Sequence, residues 1–304
     1  MFHTLSEKDI TYIKVIHADK DLKWDQRISM IMNRYGVSER QVRRWIKKLG
    51  FSSMREVENE EIKQGLSREY DRDKEIYVIT WAQNATPIHS GFFNNILAYV
   101  SHRKANLGVI MGRYQNPTSL WTKNMENDEW WDQAVHPYMD AGRHTIHPYL
   151  DLLSDVKVRP TAVNPLTGFE GISGERSSII GHPRVHLRSL PVLNGHPNKL
   201  LLTTGACTIK NYTDTKAGKK AEFHHTYGFV VVEIEDEYIY HVRQVTANQD
   251  GSFTDLTMHV SNGEVNEVKT CSAYVLGDLH VASLHNPTMD ATIDLFNMIR
   301  PKNI

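Results

Sequence analysis

Cysteine is scarce: Cys207 and Cys271 are the two in 304 residues. Two thiols cannot build a disulfide framework. They fit a reducing, cytoplasmic compartment, where a buried cysteine packs as a small apolar residue. Excess charge of one sign is also missing, since 35 Lys and Arg face 36 Asp and Glu for a formal net charge of −1. No chain-wide basic field announces nucleic acid, so any such signal must be local. No apolar run approaches the roughly 18 residues of a membrane span. The stretch Met1 to Asp9 lacks a charged start followed by an apolar core, so no signal peptide is expected. No glycine loop of the phosphate-cradling kind occurs, and no G-x-S-x-G elbow marks a serine nucleophile.

What is there suits an ordinary globular protein of two domains or three small ones, with 40% hydrophobic and 23% charged residues. Histidine is abundant, at 16, so no single histidine carries meaning alone.

Residues 5–51 read as three helices. Ser6, with Asp9 three residues on, opens the first, whose apolar side is Ile10, Tyr12, Ile13 and Ile16. Trp24 to Tyr35 gives the second. Gly36-Val37-Ser38 is a glycine turn with a capping serine, and Glu39 to Leu49 is the third helix, stopped by Gly50. Val42, Trp45, Ile46 and Leu49 form its buried stripe. Arg40, Gln41, Arg43, Arg44, Lys47 and Lys48 take the other faces. From Asp25 to Lys48, seven basic residues (27, 34, 40, 43, 44, 47 and 48) stand against Asp25 and Glu39, a local excess of +5. Helix, glycine turn and basic helix is a DNA-reading layout: Arg and Gln reach base edges while lysines hold phosphates. Tyr35 to Gly50 resembles the turn and recognition helix of helix-turn-helix families. The competing reading is a solvated charged face on a packing or oligomerisation module.

Residues 54–75 are dense in charge and read as a linker. A mixed α/β region is expected over 76–268. Ile76 to Trp81 and Leu107 to Met111 are strands flanking a helix from Phe92 to His102, a βαβ unit with a parallel pair. Ligands bind at the carboxyl ends of such strands, which places Gln83, Asn84, His89, Arg113, Tyr114, Gln115 and Asn116 at one edge, with Gln83, His89 and Arg113 as possible cleft residues. Residues 124–149 read as a helix and a long loop, and His144 and His147 have a spacing compatible with metal. Val156 to Arg159, Ser177 to His182, Val185 to Leu190 and Lys199 to Thr204 read as strands. Lys210 to Glu222 reads as a polar loop with four lysines. His224 and His225 then sit at a strand start, where one of them is expected to line a cleft. Phe229 to Ile234 and Tyr238 to Arg243 form a hairpin. Phe253 to Val260 and Glu264 to Lys269 form another around Asn262-Gly263.

Ala273 to Leu276 reads as a short buried strand, ended by Gly277. Asp278 and His280 follow at i and i+2, where both side chains point the same way and can share one metal, most suitably Mn, with Zn or Fe as alternatives. Val275-Leu276-Gly277-Asp278-Leu279-His280 resembles the first block of the calcineurin-like metallophosphoesterases. That resemblance implies that Asp278 and His280 serve one metal of a two-metal pair, which activates water and clamps a phosphodiester. Residues 269–304 would then be the first strand and helix of such a domain, with the helix spanning Asn286 to Arg300. The later blocks of that family do not occur in the 24 residues after His280, so the chain is expected to be the N-terminal part of a longer protein or a split product. The wider layout, with Ala82 to Pro87, Thr203 to Thr208 and Phe223 to Gly228, is similar to pre-early DNA-transfer and nuclease proteins of tailed phages.

Two principal expectations result. One is a metal-dependent phosphodiesterase of a phage, a DNase or its N-terminal portion, in which the helical unit binds DNA and the α/β region positions it or assembles a homo-oligomer. The other is a non-enzymatic DNA-binding or regulatory protein. A hydrolytic or nucleotide-binding site around Gln83, His89 and Arg113 is a third, weaker reading.

Overall fold

The computed structural model describes residues 5–18, 24–50, 67–119, 130–277 and 281–304. The chain forms two compact units, Met1–Gly65 and Leu66–Ile304. Among the described residues no helix is long and apolar enough to cross a membrane.

The first unit holds α1 (Glu7–Ala18), α2 (Trp24–Tyr35) and α3 (Glu39–Lys48). Ser6 and Asp9 cap α1 reciprocally. The Ser6 N–H donates to Asp9 Oδ2 at 2.9 Å, and the Asp9 N–H donates back to Ser6 Oγ at 3.3 Å. Gly36 ends α2 at a φ of +61°, a left-handed conformation that costs a Cβ-free residue little. Ser38 stands at the N-cap of α3, but its side chain makes no capping bond. Ile13, Ile16, Ile28, Ile31, Val42, Trp45 and Ile46 form one apolar core among the three helices. Tyr35 meets Trp45 edge-on at 5.6 Å and donates to Asp9 Oδ1 at 3.1 Å, which ties α2 to both neighbours.

The second unit is mixed α/β. One five-stranded sheet runs in the order β10 (Tyr240–Thr246), β9 (Gly228–Ile234), β1 (Ile76–Gln83), β2 (Asn106–Gly112), β3 (Met139–Asp140). β1 and β2 pair in parallel from Tyr77 opposite Asn106 to Gln83 opposite Gly112, with α4 (Ser90–Arg103) between them in the chain. The expected βαβ unit is therefore present. A second five-stranded sheet has the order β4 (Arg143–His147), β5 (Leu150–Leu153), β6 (Ser177–Ile180), β8 (Lys199–Thr203), β7 (Leu187–Leu190). A three-stranded meander, β11 (Phe253–Asp255), β12 (Met258–Ser261) and β13 (Glu264–Glu267), turns between its last two strands on Asn262 and Gly263, both at positive φ.

β1 is buried from Tyr77 to Gln83 and mostly apolar, because both its faces are covered. Tyr77, Ile79 and Trp81 pack between the two large sheets with Ile110, Leu150, Leu152, Ile179, Leu202, Val230 and Val232. Val78 and Ala82 face the other way, against Phe92, Phe93, Ile96 and Tyr99 of α4 and Phe253 and Val260 of the meander. A third core of Leu153, Leu166, Ile180 and Leu201 lies on the far side of the second sheet. The sheets approach closely at Trp81: a Cβ on Gly112 would fall 2.0 Å from its indole, and one on Gly181 would fall 2.7 Å from it.

Several expectations are corrected. Residues 54–66 of the expected linker lie outside the described residues, whereas residues 67–75 pack on the second unit. There the Asp71 N–H donates to Asn106 Oδ1 at 3.1 Å, and Tyr70 OH donates to Asp140 Oδ2 at 3.1 Å. The described part of 124–149 is a short 3-10 helix (Gln133–Tyr138) and strands β3 and β4. The strand of the next stretch is β5, and Val156 to Arg159 is unpaired loop whose two valines pack on the third core. Lys216–His224 is a helix, α5, not a loop. Thr215 Oγ1 accepts the Gly218 N–H at 3.1 Å, and Gly218 and Ala221 form its buried side. Phe253 to Val260 is two strands, broken where Leu256 takes a φ of +51°.

Ala273 to Leu276 is not a buried strand, and Val275 is 90% exposed. This segment instead lies beside the chain's last residues. The Lys302 N–H donates to the Cys271 carbonyl at 3.0 Å, and the Tyr274 N–H donates to the Asn303 carbonyl at 2.9 Å. Between them runs α6 (Asn286–Ile299), of which Ile299 is the buried residue. Phe296 meets Tyr274 edge-on at 4.9 Å, whereas Ile293 and Met298 face solvent.

Candidate functional site

α3 has two chemically distinct sides. Val42, Trp45 and Ile46 are buried, because a spacing of three and four residues returns them to one stripe. Arg40, Arg43, Arg44, Lys47 and Lys48 are exposed, and Gln41 is half-buried. Five positive charges and the single negative charge of Glu39 thus occupy ten residues of solvent-facing helix. Glu39 is not neutral to this surface. Its Oε1 accepts from Arg43 Nη2 at 2.6 Å and from Arg43 Nε at 2.8 Å, with both side chains about half exposed. Such an exposed i,i+4 pair is worth about 0.5 kcal/mol, so a phosphate can displace it. Arg27 does not belong to the surface. It is buried, and its Nη1 donates to the His17 carbonyl at 3.1 Å.

In the second unit, the carboxyl ends of β1 and β2 gather amides and hydroxyls. Asn84 Oδ1 accepts the Tyr114 N–H at 2.7 Å. Asn116 Nδ2 donates to the Asn84 carbonyl at 2.7 Å. Gln83 Nε2 donates to the Asn211 carbonyl at 2.8 Å and to Thr86 Oγ1 at 3.2 Å, while Gln83 Oε1 is buried with no hydrogen-bond partner among the described residues. The Gln83 N–H donates to Thr208 Oγ1 at 3.2 Å, and His225 Nε2 donates to the Thr208 carbonyl at 3.0 Å. The structure therefore brings Gln83 and His225 to one residue, Thr208. His225 Nδ1 accepts from Tyr212 OH at 2.7 Å, so both ring nitrogens are engaged. Burial pushes its pKa down to about 3, and the ring is neutral.

The other marked residues serve elsewhere. His89 caps α4, accepting the Phe92 N–H on Nδ1 at 3.0 Å and donating from Nε2 to the Gln249 carbonyl at 3.0 Å. Arg113 is exposed and lies 5.9 Å from the Trp131 ring. His224, at the end of α5, is half-buried and meets the ring of Phe223 rather than that of His225. His144 bonds Asp140 Oδ1 at 2.9 Å, whereas His147 bonds the Asp236 carbonyl at 3.0 Å, so the pair does not converge on a metal. Cys207 is fully buried, and burial pushes its thiol up to about 12, which leaves it un-ionised.

Asp278 and His280 lie outside the described residues. Among the described residues no group of three or more His, Cys, Asp and Glu is placed to hold a metal.

Sequence reasoning missed the buried ionic network of the second unit. Arg243 donates to Asp255 Oδ2 at 2.7 Å and to Glu233 Oε1 at 2.8 Å, and Arg103 donates to the same Glu233 oxygen at 2.5 Å. Burial alone would lower Arg243, but its bonds to Asp255 and Glu233 outweigh that and raise its pKa. The partners stand up to 152 positions apart (103 to 255), so no local pattern announces them.

The chain is similar to Protein A1 of Escherichia phage T5, at 28% identity over 267 residues covering 81% of this chain. The match covers 45% of that relative, so the chain spans less than half its length. The likeness supports a phage origin. No family model matches the chain, and no solved structure matches it.

Proposed function

We propose that this chain binds duplex DNA, with α2, the Gly36 turn and α3 acting as a helix-turn-helix. The observation that carries the reading is the division of α3: three apolar residues anchor it, and five exposed cations leave it facing solvent. A helix of this size fits the major groove. Arg40, Gln41 and Arg44, near its N-terminal half, would reach base edges, and Lys47 and Lys48 would hold phosphates. Arg43 joins them once a phosphate displaces Glu39. The test is fluorescence anisotropy of a labelled duplex with the whole chain and its Arg43→Ala/Arg44→Ala/Lys47→Ala variant. The variant is expected to bind more than tenfold more weakly with an unchanged melting temperature. Equal affinity would reduce α3 to a packing helix.

A second reading is favoured by the Gly277-Asp278-Leu279-His280 motif. In this reading the protein is a metal-dependent phosphodiesterase of the phage DNA-transfer and nuclease kind, with Asp278 and His280 as ligands of a divalent metal such as Mn. The metal would supply an activated water and charge stabilisation at phosphorus. A nuclease assay with and without Mn²⁺, on the chain and on Asp278→Ala, decides it. Mn²⁺-dependent cleavage abolished by the substitution supports the reading, and cleavage indifferent to Asp278 removes it.

A further inference from the structure

α5 carries an aromatic side chain that the fold does not use. Phe223 is 82% exposed, although burying such a ring is worth about 1.5–3 kcal/mol. Lys216, Lys220 and Phe223 stand at i, i+4 and i+7, so they share one stripe of the helix, and both lysines are exposed. Lys219, the remaining neighbour one turn back, is also exposed and pairs with Asp214 at 3.0 Å.

The surroundings are electropositive. The ring of Phe223 meets that of His224 edge-on at 5.1 Å. Partial burial lowers the His224 pKa, and the positive charges of Arg184 and Lys220 lower it further. Arg184, from the loop before β7, acts in the same way on His186. A protein-binding patch needs contiguous apolar neighbours. On the helix surface Phe223 has Lys216, Lys219 and Lys220 about it, against the two acidic residues Glu222 and Asp214. A ring standing alone among lysines suits a partner with flat faces and negative charge.

We propose that Phe223 is a stacking platform for a base of single-stranded nucleic acid, whose phosphates are held by Lys216 and Lys220. The site is independent of α3, because it lies in the other unit and reads a base face instead of a groove. It would act on any base, since every base offers a π-face.

The experiment uses the whole chain carrying Arg43→Ala/Arg44→Ala/Lys47→Ala, so that the duplex-binding reading cannot contribute. Anisotropy of fluorescein-labelled dT15 is measured in this background with and without Phe223→Ala. Binding of dT15 is expected to persist in the background and to weaken about 5- to 100-fold with Phe223→Ala. Phe223→Trp is expected to keep the affinity, and its added fluorescence to be quenched by dT15. Loss of dT15 binding in the background itself assigns all nucleic-acid contact to α3 and overturns the proposal. Unchanged affinity of Phe223→Ala overturns it too. If sedimentation then shows that Phe223→Ala dissociates an oligomer, the ring belongs to a protein interface instead.

Discussion

The two units treat arginine in opposite ways. In the helical unit Arg40, Arg43 and Arg44 are exposed on a ten-residue helix, and among the described residues one weak surface pair, Arg43 with Glu39, compensates them. In the α/β unit Arg103 and Arg243 are four-fifths buried and locked onto Glu233 and Asp255, the latter 1% exposed. The same guanidinium thus serves a ligand in one place and the fold in the other. What decides is whether the carboxylate beside it is buried, as Asp255 is, or exposed, as Glu39 is. A buried charge must be paired to persist, whereas an exposed one retains its capacity to meet phosphate.

That contrast can be broken from the body's side first. Arg243→Met should cost about 3–5 kcal/mol of unfolding free energy, because Asp255 stays buried without its bidentate partner. Urea denaturation measures it, and a loss below about 1 kcal/mol would mean that the network is solvated. Acid should act next. Burial holds His182 at about 4 and His225 at about 3, both below the ordinary 6.5. Above 6.5 neither state of the chain takes a proton and the stability is fully present. Below 6.5 the unfolded chain protonates and the folded chain does not, so stability falls with pH. Between pH 6.5 and 5 the loss is expected to be about 2 kcal/mol per histidine. Urea midpoints across that range test it, and His225→Gln should remove about half of the slope. The smallest effect lies on the helical unit. Glu39→Gln should free Arg43 and tighten duplex binding by roughly two- to threefold, with stability changed by less than about 0.5 kcal/mol.

Much of the fold was legible because its signals are local. The Ser6–Asp9 cap, the Gly36 turn, the stripe of α3 and the Asn262-Gly263 hairpin all lie within a few residues of what they specify. β1 and β2 were legible as long apolar runs. The misreadings have one physical source, which is that the partner decides. Val156 to Arg159 alternates like a strand but finds no strand to pair with, while Leu150–Leu153, interrupted by Asp151, finds one on each side. α5 looked like a loop because of its lysines and Gly218, yet Thr215 caps it and Ala221 anchors it. Of the marked cleft residues, Gln83 and His225 do meet through Thr208, but their other partners, Asn211 and Tyr212, stand in a loop that carried no signal. Arg27 was counted with the basic surface although its side chain turns inward, since a charge count cannot tell which face a residue occupies.

The central claim is that the exposed cations of α3 hold DNA phosphates. The most direct measurement is the salt dependence of duplex binding, for the whole chain and for Arg43→Ala/Arg44→Ala/Lys47→Ala. Each lost phosphate contact removes about 0.9 from the slope of log K against log salt concentration, so the account predicts a slope shallower by about 2–3 in the variant. Parallel lines for the two proteins would contradict it.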